Sequence, residues 1–438
     1  RAYHPQDMGV ISEATVDSSD VGINAYLSAN PNFDNLRGVI KKDKVMNTAS
    51  MFSTSANLSA AALHEDAKRL GFSSIQQGHT ISCEGYHQPY VRTGYESVIG
   101  NRTTEMFCYT AKQDGKVVVK TKTGVIVEYT DGNRKGVNIG RVFGKAEGSV
   151  YPHDIVTPLE ANSSFKKGDV IAYNTGFFEP DMLEPNKVVL KNSMNVKVAL
   201  YESNQTHEDG SAISSSLSSR LSAKTTKVKS ITVGFKQNLL DVVKVGQQVT
   251  PKDHFMIIED EITSSVANFD EDSLLLLSNL SKQTPKAKYH GVIDKIEVFY
   301  HGNKDDMSSS LLQLTDQSDR ALAAMCKSSG KPVITGQVND DYRVEGVPLA
   351  LDKAEIKIYL TIQTHGGVGD KIVFANQLKS VIGEVMEYDM HTESGERIEA
   401  IYSNKGVAAR IVLSPYIIGT TTSLLKTLAK SMIKTYRG

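Results

Sequence analysis

Short runs in which apolar and polar residues alternate, broken by glycine, dominate the chain and predict strands joined by tight turns rather than alternating strand and helix units. The clearest runs from Ala354 to Ile362: Ile356, Ile358, Leu360 and Ile362 fall on one face and Glu355, Lys357 and Thr361 on the other, the period of a half-buried strand. Gly124–Asp131 and Gly291–Tyr300 repeat this less strictly. Two segments switch to a helical period. Ser308–Ser310 offers caps for a helix carrying Leu311, Leu314, Ala321, Leu322 and Met325, which Gly330 and Pro332 end. The second helix closes the chain, with Leu425, Leu428, Met432 and Tyr436 in one stripe and Lys426, Lys430 and Lys434 in another. Its lysines suit the negative end of the helix dipole and predict a solvated face ahead of a binding face. Residues 211–229, rich in Ser and Thr with Arg220, Lys224, Lys227 and Lys229 interspersed, predict a connector between domains.

Length and composition narrow the picture. The 438 residues suffice for two or three cores, and 40% apolar with 23% charged residues is the balance of a soluble folded protein. No apolar run is long enough to span a bilayer, Leu274–Leu277 being the longest run of leucine, so no membrane partner is expected. The formal net charge of −1 excludes a bulk field that would draw DNA or anionic lipid, so any nucleic-acid contact has to be local. Cys83, Cys108 and Cys326 lack the spacings of a zinc site or a disulfide framework, which favours a reducing compartment. The polar stretch Arg1–Val10 carries no secretory signal, and Arg in place of Met at position 1 implies processing or preceding residues.

Four segments carry candidate chemistry. Gly366, Gly367 and Gly369 permit a tight turn before Asp370 and Lys371, and Lys379 follows eight residues on. Two ammonium groups on one short segment can hold consecutive phosphates, although ordinary surface lysines around a hairpin give the same pattern. His207-Glu208-Asp209 offers adjacent carboxylates able to reach Mg²⁺ through water, or simply an acidic turn. Arg410 follows the small-residue stretch Gly406–Ala409 and could grip a triphosphate with its planar fork, or form a structural ion pair. The acidic run Asn268–Asp272 is a solvated loop rather than a metal cage. There is no P-loop, no dinucleotide fingerprint and no nucleophile–base arrangement.

Taken in order, these segments resemble the second-largest (β) subunit of multisubunit DNA-directed RNA polymerases along nearly the whole chain. Arg1-Ala2-Tyr3-His4-Pro5 with Thr15–Gly22 is similar to a degraded R-x-x-H-P … T-P-E-G-P-N-I-G segment. Ser55-Ala56-Asn57-Leu58 resembles G-A-N-M, Thr93–Glu96 resembles T-G-M-E, and Gly115–Arg134, with Gly124–Tyr129 and Asp131–Arg134, resembles the D-G-V-V-E-Y-V-D-A-N-R-I run. Phe165–Ala172 looks like V-x-K-G-D-V-L-A-D, and Asn195–Leu200 leading to Glu208-Asp209 looks like N-V-L-V-A-F … Y-N-Y-E-D. Val249–Lys252 and Gly291–Asp294 match landmarks bounding the flap. Gly369-Asp370-Lys371 … Lys379 is similar to G-D-K-M-A-G-R-H-G-N-K-G, and Gly406-Val407 … Arg410 to G-V-P-S-R.

The resemblance implies a mixed α+β, β-rich fold: a double-psi β-barrel of the sandwich-barrel hybrid type, with an inserted flap and a fork-like region. Its expected segments are a fork-like region at 1–160, a first barrel segment and connector at 161–222, a flap at 223–300, a helical connector at 301–345, a second barrel segment at 346–418 and a C-terminal helix at 419–438. Lys371 and Lys379 would contact the RNA 3′ end and the initiating nucleotide, and Arg410 the triphosphate of the incoming nucleotide. Asn57 would join the RNA- and nucleotide-binding residues, and Glu208 with Asp209 would lie near the second Mg²⁺, through water. The aspartates N-A-D-F-D-G-D that bind the catalytic Mg²⁺ belong to the β′ subunit in that family and are absent here. Expected partners are therefore an N-terminal β-like chain, β′-like chains, an initiation factor, template DNA and nascent RNA. A split, diverged β is similar to that of large (jumbo) tailed phages, implying the cytoplasm of an infected bacterium, or the virion if packaged.

Departures bear on that expectation. Ala375 and Asn376 stand where the family has Arg and His, Met51 stands where a second triphosphate-binding arginine is expected, and Asp17-Ser18-Ser19-Asp20 replace E-G-P-N. They keep open a second reading: a catalytically inert structural or virion component that retains the polymerase β framework.

Overall fold

A computed structural model describes residues 4–260 and 282–437. Arg1, Ala2 and Tyr3 of the opening motif, the acidic run Asn268–Asp272 and the leucines 274–277 lie outside the described residues. The fold is mixed α+β with 33% strand and 24% helix, β-rich as the alternation predicts. The chain forms two compact units, one from residues 1–103, 176–223 and 365–438 and the other from 104–175 and 224–364. The expected end of the first barrel segment, at 222, lies beside the crossing at 223, and the expected second barrel segment, 346–418, runs across the crossing at 364.

In the second unit an eight-stranded sheet has strand Lys353–Thr364 paired antiparallel with Gly291–His301. Ile358 faces Ile296 and Ile356 faces Val298, and Ile293, Val298, Ile356 and Ile358 are fully buried. The expected polar face is not left in water. Glu355 is 1% exposed and accepts hydrogen bonds from the hydroxyl of Tyr342 at 2.6 Å, while the hydroxyls of Thr361 and Thr226 lie 2.8 Å apart. Burial of those polar groups is tolerated because each has a partner.

Helix Ser309–Ser328 packs beside this sheet, with Ser308 capping the backbone N–H of Leu311 as the sequence predicts. Leu311 and Leu322 are buried but Ala321 is exposed. Polar Ser318 and Asp319 are buried in its stead: Ser318 accepts from the Val298 N–H at 3.0 Å, and Asp319 from the Gly336 N–H at 2.8 Å. The helix end meets the four-stranded sheet of Arg134–Asn138, Gly124–Tyr129, Gly115–Lys120 and Ser164–Phe165 at its glycines. A Cβ on Gly136 would stand 2.1 Å from the Ser329 carbonyl oxygen, so only glycine fits.

The first unit is built on a five-stranded mixed sheet, in the order Val198–Leu200, Ala400–Tyr402, Gly210–Ser214, Leu378–Met386, Lys371–Phe374. Two distant stretches of chain thus interleave, with parallel pairings between them and an antiparallel hairpin at the edge. Ile213, Leu217, Ile382 and Ala400 form the core under it. Among the described residues no sheet closes into a barrel.

Residues 211–229 do carry the chain from the first unit to the second, changing unit between Ala223 and Lys224, but as ordered elements. They form strand Gly210–Ser214, helix Ser215–Arg220 and the start of strand Ala223–Gly234, and Ser211, Ser214 and Ser222 are buried. The hydroxyls act as local partners: Ser214 caps the N–H of Leu217, and Ser222 bonds His365 Nδ1 at 2.6 Å. A composition rich in small hydroxyl residues fits a close-packed strand and helix cap as well as it fits a loop.

The final helix, Ser414–Arg437, begins before the expected 419, its first N–H held by the Glu65 carboxylate at 2.6 Å. Its apolar stripe is uncovered, with Leu428 57% and Tyr436 93% exposed, while Lys430 lies 3.7 Å from Glu396. The lysines are therefore not the sole solvated face. No helix of the described residues is long and apolar enough to cross a membrane.

Candidate functional site

The glycine turn ahead of Lys371 is held by its own aspartate. Asp370 accepts the Gly367 N–H at 2.8 Å, and Gly369, with φ of +93°, donates to the Ile382 carbonyl at 2.8 Å. Gly366 allows contact with helix Ser215–Arg220 and the residue after it, since a Cβ there would lie 2.9 Å from Leu221 Cβ. The turn so fixed delivers Lys371 to the first position of the edge strand.

Lys371 pairs with Val381 and Val373 with Lys379 across the hairpin. Directly opposed residues, and residues two apart on one strand, share a face, so Lys371 and Lys379 project from the same face. Ile372, Leu378 and Ile382 turn the other way, into the core. At the hairpin tip Ala375 and Asn376 both take left-handed backbone, with φ of 48° and 69°, a conformation Asn tolerates better than Ala. Lys371 is exposed and forms no ion pair with a described residue, whereas the ammonium of Lys379 donates to Asp17 at 2.7 Å. That hydrogen bond holds the Asp17 carboxyl below the usual carboxylate range.

Arg410 follows the short helix Asn404–Ala408, which Ser403 caps through the Gly406 N–H. Both terminal nitrogens of its guanidinium meet the Asp209 carboxylate at 2.7 Å, in a two-bond fork. The Tyr402 hydroxyl adds a 3.1 Å bond to the same carboxylate and accepts one from Arg410 at 3.1 Å. The Arg410 hydrogen bonds hold Asp209 below its ordinary value, and Asp209 in turn raises Arg410. The backbone carbonyl of Asp209 accepts the hydroxyl of buried Ser380 at 2.7 Å, so the Arg410 pair is tied to the strand that carries Lys379, from the opposite face.

The other expected residues stand differently. Glu208 is exposed beside His207 in left-handed backbone, φ 47°, with its carboxylate open to water. Asp209 is spent on Arg410, so the adjacent carboxylates do not offer a matched pair, and Glu208 alone is free for a water-bridged cation. Among the described residues there is no group of three or more His, Cys, Asp or Glu side chains able to hold a metal ion. Asn57 uses its amide on the Ser53 carbonyl at 2.8 Å, and its own carbonyl accepts the Thr93 hydroxyl at 2.6 Å. Those bonds tie the Asn57 and Thr93 motifs together rather than bringing Asn57 to Lys379 or Arg410. Cys83, Cys108 and Cys326 are buried, and no disulfide joins them among the described residues.

Two members of the cluster carry no sequence signal of their role. Asp17 stands out only as a departure from E-G-P-N, and Tyr402 is one tyrosine in a strand. Among the described residues the three cations thus divide into one ammonium without an ion pair, Lys371, and two cations each held by a carboxylate, Lys379 by Asp17 and Arg410 by Asp209.

No protein-family model and no curated protein matches this chain.

Proposed function

We propose that this chain is the C-terminal half of a split β subunit of a multisubunit DNA-directed RNA polymerase, active only with its partner chains. The observation that carries this reading is the common face of Lys371 and Lys379, with the Arg410 pair tied through Ser380 to the same strand. In this reading the five-stranded sheet is part of a double-psi barrel and residues 223–300 form the flap. Lys371 and Lys379 neutralise phosphates at the RNA 3′ end, and Arg410 grips the triphosphate once the incoming nucleotide displaces Asp209. Phosphoryl transfer depends on positioned cations more than on covalent chemistry, so side chains of these types suffice for this share of the work.

Mg²⁺, held chiefly by aspartates of a β′-like chain, would neutralise charge on the reacting phosphates, with Glu208 beside it through water. The uncovered apolar stripe of the final helix supports work within an assembly, because large exposed apolar faces mark interaction surfaces. The other partners are an N-terminal β-like chain, an initiation factor, template DNA and nascent RNA, in an infected bacterium or a virion.

A specific observation also favours the second reading, an inert framework component: Asp17 and Asp209 already occupy Lys379 and Arg410. Purification of the native assembly and mass spectrometry of its chains separates the two. The polymerase reading expects a co-purifying chain carrying N-A-D-F-D-G-D and fails if the chain assembles without one.

A further inference from the structure

Arg69 sits where two ties converge on the candidate site. It lies in the first turn of helix Ala67–Gly78. Just before this helix, the Asp66 N–H donates to the carbonyl of Ile411 at 3.3 Å, next to Arg410. Further along, the Gly71 carbonyl accepts the Thr15 N–H at 3.2 Å, two residues from Asp17. The approach at Gly71 is close, since a Cβ there would stand 3.1 Å from the Glu13 carbonyl oxygen. Arg69 is thus bracketed between the Arg410 segment and the Asp17 segment.

Charge agrees with position. The positive charge of Arg69 reaches both carboxylates, Asp17 and Asp209, and Lys68 adds to the field at Asp17. Each carboxylate is already hydrogen-bonded by another cation, Lys379 or Arg410. Arg69 is half-buried, and its guanidinium makes no hydrogen bond or ion pair with a described residue. Lys379 and Arg410 hold the two carboxylates by contact, and Arg69 adds positive charge near both without touching either. A half-buried guanidinium without a contacting anion among the described residues can take one, and its planar fork matches a polyphosphate.

We infer that Arg69 is a nucleotide-binding residue that grips the triphosphate beside Arg410. It supplies the second guanidinium that is missing where Met51 stands. Arg69 acts on the substrate as bound, leaving RNA contact to the lysine pair. The inference rests on the proposed function and adds to it a residue from a different element.

The test uses the reconstituted polymerase with Arg69→Ala, Arg69→Lys and Lys379→Ala chains. Elongation rate is measured against nucleoside triphosphate concentration, alongside inhibition by inorganic tripolyphosphate, which isolates the phosphate contact. Loss of a charge-assisted bond predicts that Arg69→Ala raises the half-saturating nucleotide concentration and the tripolyphosphate inhibition constant by about 10-fold or more, well beyond its effect on maximal rate. Arg69→Lys recovers part of both. Unchanged nucleotide and tripolyphosphate dependence in Arg69→Ala, with elongation lost in Lys379→Ala, overturns the inference alone. If Lys379→Ala also elongates normally, the polymerase reading falls with it.

Discussion

Arg410 and Asp209, 201 residues apart, meet in a two-bond fork with both nitrogen–oxygen distances at 2.7 Å. The pair depresses the Asp209 carboxyl below its ordinary 3.8. A carboxyl depressed in the folded state contributes stability above its unfolded value, and that contribution is lost as pH falls through the folded value. Asp209→Asn should therefore be less stable than the parent at neutral pH, and the gap should begin to narrow as pH falls below about 4. Urea unfolding of both chains at pH 7 and pH 3 measures it; a gap as wide at pH 3 as at pH 7 contradicts the pairing.

Asp17 shields Lys379. Asp17→Asn removes a negative charge and frees an ammonium, so tripolyphosphate should bind the chain several-fold more tightly at low salt, with the gain shrinking as salt is raised. Calorimetric titration at two ionic strengths checks this.

Ile356 is fully buried in the central strand pair of the second unit. Truncation to Ala leaves a cavity and should cost about 2–5 kcal/mol, read by chemical denaturation. Changing exposed Val347, in a two-stranded ribbon, should stay within about 0.5 kcal/mol.

The uncovered stripe of the final helix makes the opposite kind of prediction. Leu425→Ser with Leu428→Ser and Met432→Ser should leave the stability of the isolated chain nearly unchanged, because these side chains are exposed. The same triple change should weaken assembly with the proposed partner chains, measured by co-purification.

Local pattern carried much of the fold. The alternation of Ile356, Ile358 and Leu360 marks its strand, and Ser308 marks its helix start, because both signals act between neighbours in sequence. The Ser- and Thr-rich stretch does mark the passage between the two units, but its ordered elements were not legible, because Ser211, Ser214 and Ser222 are buried by partners far along the chain or capped locally, and composition does not distinguish these from solvation. The site divides in the same way. The hairpin lysines were legible from one glycine-flanked segment, whereas the Asp17–Lys379 pair spans 362 residues and the role of Arg69 depends on backbone ties at Thr15 and Ile411. No pattern within a single segment encodes such contacts.

The most direct measurement is elongation by the reconstituted assembly when Lys371 and Lys379 are both replaced by Ala. Both side chains are on the outer face of the hairpin, so the altered chain should still assemble. RNA extension should then be abolished; extension at the parental rate by a fully assembled complex would contradict the account.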